Sequence, residues 1–104
     1  MDYEIKKGVL IVNKQLDDDY DVSFDRVCTE LVCSSESDVV IDLSRVRFIT
    51  STYIGLLAAT FFQAKHNGKN MTIAAQGQVL NVLRISGFEG FMPIINSAKA
   101  AKKD

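Results

Sequence analysis

Residues 39–57 read VVIDLSRVRFITSTYIGLL, and this stretch decides the fold. Residues 39–41 form a brief continuous run of β-branched side chains, which is typical of a strand covered on both faces. The hydroxyl-bearing residues 50–52 come next, and an almost wholly apolar segment continues to Ala64. Gly68 is well placed to end that segment, because Gly readily takes the left-handed conformation that closes helices. The stretch therefore predicts a buried strand that leads into a heavily buried helix.

The chain after this helix repeats the alternation of strand and helix. Residues 71–75 are apolar and short enough for another buried strand, and residues 78–86 have the apolar spacing of a helix. Gly87 is placed to cap that helix in the left-handed conformation. Residues 91–95 predict a last strand, which must lie at a sheet edge because Pro93 cannot donate a backbone hydrogen bond.

The chain before residue 39 predicts a strand pair and a first helix. Residues 3–6 and 9–12 are two short strands joined tightly at Gly8. Asp21 is a suitable N-cap for the helix that follows. The apolar face of that helix has the spacing i, i+3, i+4, i+7, i+8, and its members are Phe24, Val27, Cys28, Leu31 and Val32.

The predicted order is β-β-α-β-α-β-α-β, with a short last helix over residues 97–103. Strands that alternate with helices indicate an α/β fold with a partly parallel sheet, and only the first strand pair can be a simple hairpin. We therefore expect residues 1–104 to form one domain with a mixed sheet of four to five strands and helices packed on it.

Composition excludes several classes of function. The chain has 104 residues and a formal net charge of −1, which argues against broad charge-driven binding of nucleic acid. Its most apolar stretch, residues 54–62, is far shorter than the roughly 20 residues that a membrane span requires. The N-terminus lacks the pattern of a signal peptide, so we expect a cytoplasmic protein in which Cys28 and Cys33 are free thiols.

Catalytic and metal-binding patterns are also missing from the sequence. The single histidine, His66, lies at a predicted helix end, where a cation favours the helix dipole. Cys28 belongs to an apolar helix face and is expected to be a core residue. The acidic residues Asp17, Asp18, Asp19, Asp21 and Asp25 lack the glycine and terminal glutamate of an EF-hand, and they indicate a solvated loop. We expect no enzyme activity, no cofactor and no metal site.

The hydroxyl run at residues 50–52 allows two interpretations. A Ser or Thr oxygen at a helix start can accept a hydrogen bond from a free backbone N–H and so cap the helix. Alternatively, the run is a site of phosphorylation, because a helix N-terminus accommodates a phosphate and its charge can abolish docking of a partner.

The segment from Asp42 to Leu57 resembles the hallmark of STAS domains of the anti-sigma factor antagonist family, D-L-S-x-V-x-F-[IM]-D-S-[ST]-G-[LI]-G, without a gap. Weaker similarities extend over most of the chain, at Leu16–Asp17, residues 67–69 and residues 85–88. The resemblance implies a binding switch without enzyme activity. Ser51 would be its phosphorylation site, with Thr52 as the fallback.

By the same resemblance, the partners are an anti-sigma factor that is also a serine kinase and a PP2C-type phosphatase. The unphosphorylated form would bind the anti-sigma factor. We expect that partner to dock on a shallow apolar surface around Tyr53 and Ile54, with Ser51 at its centre. The expected partner-binding residues are Asp17, Thr50, Ser51, Thr52, Tyr53 and Ile54.

The sequence departs from the family pattern at three places. Thr50 replaces the motif Asp, Tyr53 replaces the motif Gly, and Lys14–Gln15 replaces the usual Gly-Glu before Leu16. The departures at Thr50 and Tyr53 favour an alternative function, an interaction module without phosphorylation. Such a module could be a stressosome-like scaffold or the cytoplasmic subunit of a lipid transporter.

Overall fold

The computed structural model describes residues 2–17 and 21–97. In chain order the elements are β1 (Tyr3–Lys6), β2 (Val9–Val12), α1 (Val22–Ser34), β3 (Val39–Asp42), α2 (Ser51–His66), β4 (Met71–Ala75), α3 (Gly77–Ile85), a 3₁₀ turn (Phe88–Gly90) and β5 (Ile94–Asn96). The strands form one sheet in the order β1-β2-β3-β4-β5. Only β1 and β2 are antiparallel, and every later pair is parallel. The predicted single α/β domain with a mixed sheet is confirmed.

One face of the sheet carries the core. Each helix connects two neighbouring parallel strands, and the successive connections proceed across the sheet from β2 to β5 without reversing. Right-handed connections that proceed one way across a sheet place all their helices on one face. Leu10, Ile41 and Ile73 are in register across the sheet and are fully buried. Val40 and Thr72 are also in register, on the opposite face, and they are only half-buried. The expectation that residues 39–41 are covered on both faces is therefore wrong for Val40.

The helix ends agree with the sequence signals. The side chain of Asp21 caps α1 by accepting a hydrogen bond from the Ser23 backbone N–H. Gly68 and Gly87 follow α2 and α3 with φ values of 75° and 82°, in the left-handed region that favours glycine.

The last strand begins later than predicted. Phe88 is buried and starts the 3₁₀ turn, and its carbonyl accepts hydrogen bonds from the N–H groups of Phe91 and Met92. Residues 91 and 92 thus belong to the turn, and β5 starts after Pro93, at the sheet edge. Apart from Ser97, the predicted last helix lies outside the described residues.

Helix α2 is less buried than its composition predicts. One face packs inward, with Tyr53, Leu57, Thr60, Phe61 and Ala64 buried. The opposite face meets solvent, where the side chain of Phe62 is 59% exposed. Leu56, a large apolar residue of this helix that we expected to be heavily buried, is half-buried. The cause is the two-layer architecture, in which the sheet and the neighbouring helices leave the outward side of a helix uncovered.

The two cysteines are expected to differ sharply in reactivity. Cys28 is 1% exposed, and its burial raises the pKa of its thiol to about 12. Cys33 is exposed. Because the thiolate is the reacting species, a thiol reagent should modify Cys33 quickly and Cys28 only slowly in the native protein. Mass spectrometry of the labelled peptides over time, with and without denaturant, measures both rates. Equal native rates would contradict the packing of α1.

Candidate functional site: the turn before helix α2

The hydroxyl run lies where the chain leaves the carboxyl end of β3 and enters α2. Thr50 is the N-cap residue, in an extended conformation, and Ser51 is the first residue of the helix. Ser51 and Thr52 are exposed, whereas Thr50 is half-buried. The first N–H groups of any helix have no partner within the helix, so the Ser51 hydroxyl lies in an environment that favours negative charge.

The segment that follows β2 holds this turn in place. The Leu16 N–H donates to the Phe48 carbonyl over 3.1 Å, and the Thr50 N–H donates to the Leu16 carbonyl over 2.9 Å. These bonds make Leu16 and Ile49 a parallel bridge. The exposed residue Asp17 directly follows Leu16, so the structure brings it to the same end of the domain as Thr50.

Gln15 anchors the same turn through its side chain. Its Oε1 accepts hydrogen bonds from the backbone N–H groups of Arg47 at 2.6 Å and Phe48 at 3.1 Å. Its Nε2 donates to the Arg45 carbonyl over 3.3 Å. Sequence reasoning noted position 15 only as a departure from the family and missed this role. No local signal could have revealed it, because the donors lie 30 or more residues away along the chain.

The side chain of Thr50 does not cap α2. The Thr50 carbonyl accepts from the N–H groups of Tyr53 and Ile54, at 3.1 and 3.2 Å, but its hydroxyl makes no capping hydrogen bond. The Thr50 Oγ1 is buried without a hydrogen-bond partner. Ser51 follows the N-cap position, so its hydroxyl is not placed to cap either. The capping interpretation of the hydroxyl run is therefore not borne out at Thr50, and the hydroxyl of Ser51 faces solvent.

Tyr53 points into the core rather than toward a partner. Its side chain is 0% exposed, and its ring packs edge-on against that of Phe24 with 5.4 Å between centroids. The expectation that Tyr53 contributes to a shallow apolar surface is wrong. Ile54 is half-buried, and Phe48, which sequence reasoning did not select, is 58% exposed in the same turn. Close to Ser51 along the chain, the exposed apolar surface thus comes mainly from Phe48, with a smaller part from Ile54.

Asp21 joins β1, α1 and the segment after β2 near this end of the sheet. Its Oδ2 accepts from the Tyr3 hydroxyl at 2.7 Å and from the Lys14 ammonium at 3.1 Å, and its Oδ1 caps α1 through Ser23. The hydrogen bond from Tyr3 is the main cause that lowers the pKa of the Asp21 carboxyl. Burial and the same contact raise the pKa of Tyr3 above its ordinary value, which keeps its hydroxyl a donor.

The Asp21→Ala variant should lower the free energy of unfolding by about 1–2 kcal/mol, since it removes an N-cap together with the contacts to Tyr3 and Lys14. Asp21→Asn should cost less because asparagine still caps. The folded carboxyl has a pKa below its ordinary 3.8. Its stabilisation is therefore present above pH 3.8 and is lost as the pH falls through the folded pKa. Urea unfolding of wild type and Asp21→Asn at pH 7 and pH 3 measures this loss. If the two proteins differed in free energy of unfolding by the same amount at both pH values, the charge of Asp21 would make no contribution.

A shallow cavity of about 700 Å³ lies near the carboxyl ends of β3, β4 and β5, with Arg45, Arg47 and Gln76 in its lining.

Within residues 2–17 and 21–97 no three His, Cys, Asp or Glu side chains form a group that could hold a metal ion. Of the acidic run, Asp18 and Asp19 lie outside the described residues. In the same part of the chain, no helix has the length and apolar character to cross a membrane.

Comparison with known proteins agrees with this architecture. The structure is similar to the crystal structure of an anti-sigma factor antagonist from Mycobacterium paratuberculosis, with a TM-score of 0.75, 24% identity, and coverage of 98% of this chain and 92% of that chain. It is also similar to a candidate anti-sigma factor antagonist from Thermotoga maritima, with a TM-score of 0.68, 17% identity, and coverage of 97% and 90%. A search of curated proteins found no match. The STAS domain model matches residues 2–101, and the chain therefore belongs to the STAS domain family.

Proposed function

We propose that the protein is an anti-sigma factor antagonist, a protein-binding switch controlled by reversible phosphorylation of Ser51. The observation that carries this proposal is the position of Ser51, whose exposed hydroxyl begins α2 within the family motif. Two structural neighbours are named as antagonists of this kind or candidates for that role, which supports the same function. Thr52, which is also exposed, is the fallback acceptor.

The chemistry of the turn suits such a switch. Ser51 presents an oxygen that a kinase can reach, and the free N–H groups of the helix start stabilise the phosphate once it is attached. Apolar surface from Phe48 and Ile54 lies in the neighbouring sequence, and Asp17 and Thr50 are at the same end of the domain. A partner that covers this surface removes water from Ser51. A phosphate of about −1.5 to −2 charges would then be buried without compensation, so the modified form dissociates.

The partner in this proposal is a cytoplasmic anti-sigma factor that is also the serine kinase. It binds the unphosphorylated protein and thereby releases its sigma factor, and a PP2C-type phosphatase restores the binding form. The protein itself contributes a docking surface and a phosphate acceptor, and it catalyses no reaction. Asp17, Thr50, Ser51, Thr52 and Ile54 are the proposed contact residues, and Phe48 joins them because of its exposure.

The test is the modification state of the protein purified from its native host. Intact mass should show a fraction that carries one phosphoryl group, and peptide mapping should place that group on Ser51. A Ser51→Ala variant should lose it, while a Thr52→Ala variant should keep it. Unmodified protein under every growth condition, together with capture of a binding partner, would instead favour the interaction module without phosphorylation.

A further inference from the structure

Strand β1 forms one edge of the sheet, and its outer side is uncovered. The strand order places β1 beside β2 only, and no other strand within the described residues adjoins it. The opposite edge strand, β5, begins directly after Pro93, which has no N–H to donate. Strand β1 contains no proline. Its outer side therefore offers backbone groups with which one more strand can pair.

The pairing of β1 with β2 shows which residues carry the outward backbone groups. In this register Asp2 comes opposite Asn13, and its carbonyl accepts a hydrogen bond from the Asn13 N–H over 2.8 Å. Hydrogen-bonded and non-hydrogen-bonded pairs alternate along antiparallel strands, so every second residue from Asp2 onward bonds to β2. The backbone N–H and C=O groups of the residues between them, Tyr3 and Ile5, therefore point outward from the sheet edge.

The side chains of β1 alternate between the two faces of the sheet. The Tyr3 ring lies 5.8 Å from the Phe24 ring of α1, measured between centroids, so Tyr3 and Ile5 face the helices. Glu4 and Lys6 lie on the other face, where the Lys6 Nζ is 3.6 Å from the Glu4 Oε2. The Lys6 side chain is 71% exposed and the Glu4 side chain 35%. Both charged groups can therefore reach a further strand laid along β1.

A groove of about 640 Å³ follows β1 on its helix-facing side. Its lining within the described residues comes from β1 and from α1, and none of it comes from β2, so the groove lies on the outer side of β1. Ile5 and Val27 are half-buried and line this groove with apolar surface. Strand addition uses this combination, because the sheet edge binds the added backbone and the adjoining groove receives its side chains.

We propose that a second copy of this chain adds its β1 antiparallel to this edge, so that two five-stranded sheets join into one. Ile5 of each copy lies opposite Ile5 of the other, and their N–H and C=O groups form two hydrogen bonds across a two-fold axis. Glu4 of each copy lies opposite Lys6 of the other, which gives two ion pairs between the strands.

Charge complementarity selects both this register and a second copy as the occupant. The outward backbone groups of the two strands must face each other, so the two-fold axis passes through a residue rather than between two. An axis at Tyr3 would set Asp2 against Glu4. An axis at Glu4 or at Lys6 would set that residue against its own copy. Only the axis at Ile5 sets opposite charges against each other. A lysine on an edge strand normally opposes pairing, but here the carboxylate of the second copy compensates it.

Sedimentation equilibrium of the full chain over a range of concentrations measures the monomer–dimer equilibrium. Wild type should dimerise. Glu4→Lys and Lys6→Glu should each raise the dissociation constant about tenfold or more, because either change sets two pairs of like charges across the axis. An equimolar mixture of the two variants should dimerise as tightly as wild type, since each supplies the charge that the other lacks. The double variant with both changes should dimerise by itself for the same reason.

The melting temperatures of the variants control for folding. They should stay close to that of wild type, because an exposed salt bridge contributes little to stability. A wild type that is monomeric at every concentration would overturn the proposal and leave the edge to an extended segment of another protein. Single variants that dimerise as tightly as wild type, or a mixture that fails to dimerise, would overturn it as well.

Disulfide trapping in a Cys33→Ser background tests the contact between the strands. Opposite residues of a hydrogen-bonded antiparallel pair have Cα atoms about 5.5 Å apart, which a disulfide can span. Ile5→Cys should form a covalent dimer under mild oxidation. Ile95→Cys, at an exposed position of the opposite edge strand, should not. Equal cross-linking of these two variants would overturn the arrangement. The experiments use neither kinase nor anti-sigma factor, so their outcome is independent of the proposed switch at Ser51.

Discussion

Replacement of Tyr53 by alanine is expected to lower the free energy of unfolding by about 3–5 kcal/mol, as large-to-small changes of buried aromatic residues do. The ring is 0% exposed and packs edge-on against Phe24, which joins the start of α2 to α1. Removal of the ring leaves a cavity that the surrounding backbone fills only in part. Urea unfolding at equilibrium, followed by circular dichroism, gives the change directly.

Two variants separate the contribution of the Tyr53 ring from other effects. Tyr53→Phe keeps the ring and should cost only about 1 kcal/mol for the hydroxyl. Thr52→Ala alters the exposed neighbouring residue and should stay within about 0.5 kcal/mol of wild type. A Tyr53→Ala protein as stable as Thr52→Ala would show that Tyr53 is not a core residue. Position 53 is glycine in the family motif, so this chain has added a core aromatic beside its proposed switch.

The Ser51→Asp variant should weaken binding of the anti-sigma factor about 100-fold, which corresponds to about 2.7 kcal/mol. A carboxylate at this position must lose its water when the partner covers the turn, and an unpaired buried charge costs several kcal/mol. The isolated variant should be as stable as wild type, because Ser51 is exposed and an acidic residue in the first helical turn is favourable. Isothermal titration calorimetry and thermal unfolding measure the two quantities.

Ser51→Asn is the matched control, since it has nearly the shape of aspartate and no charge. It should bind within a few-fold of wild type. Ser51→Ala should also bind, and its stability should stay close to that of wild type because Ser51 is not the N-cap residue. Equal affinities of Ser51→Asp and Ser51→Asn would contradict a charge-based switch at this residue.

Local sequence was sufficient to predict most elements of this fold. The strand over Met71–Ala75, the Asp21 cap and the left-handed glycines at 68 and 87 all follow from short-range rules of steric preference, periodicity and hydrogen bonding. The hydroxyl run at residues 50–52, which directly precedes an apolar helical segment, placed Ser51 near a helix start by the same rules. Such features depend on residues a few positions apart, and a single sequence contains that information.

The tertiary structure alone decided which surfaces are free around Ser51. Helix α2 is apolar on all sides, so its periodicity could not show that Tyr53 faces Phe24 while Phe62 faces solvent. Gln15 holds the turn before α2 through donors on a strand-to-helix loop that is distant in sequence. Both facts come from the order of strands in the sheet, which determines what packs on each helix face and which loops meet at one edge.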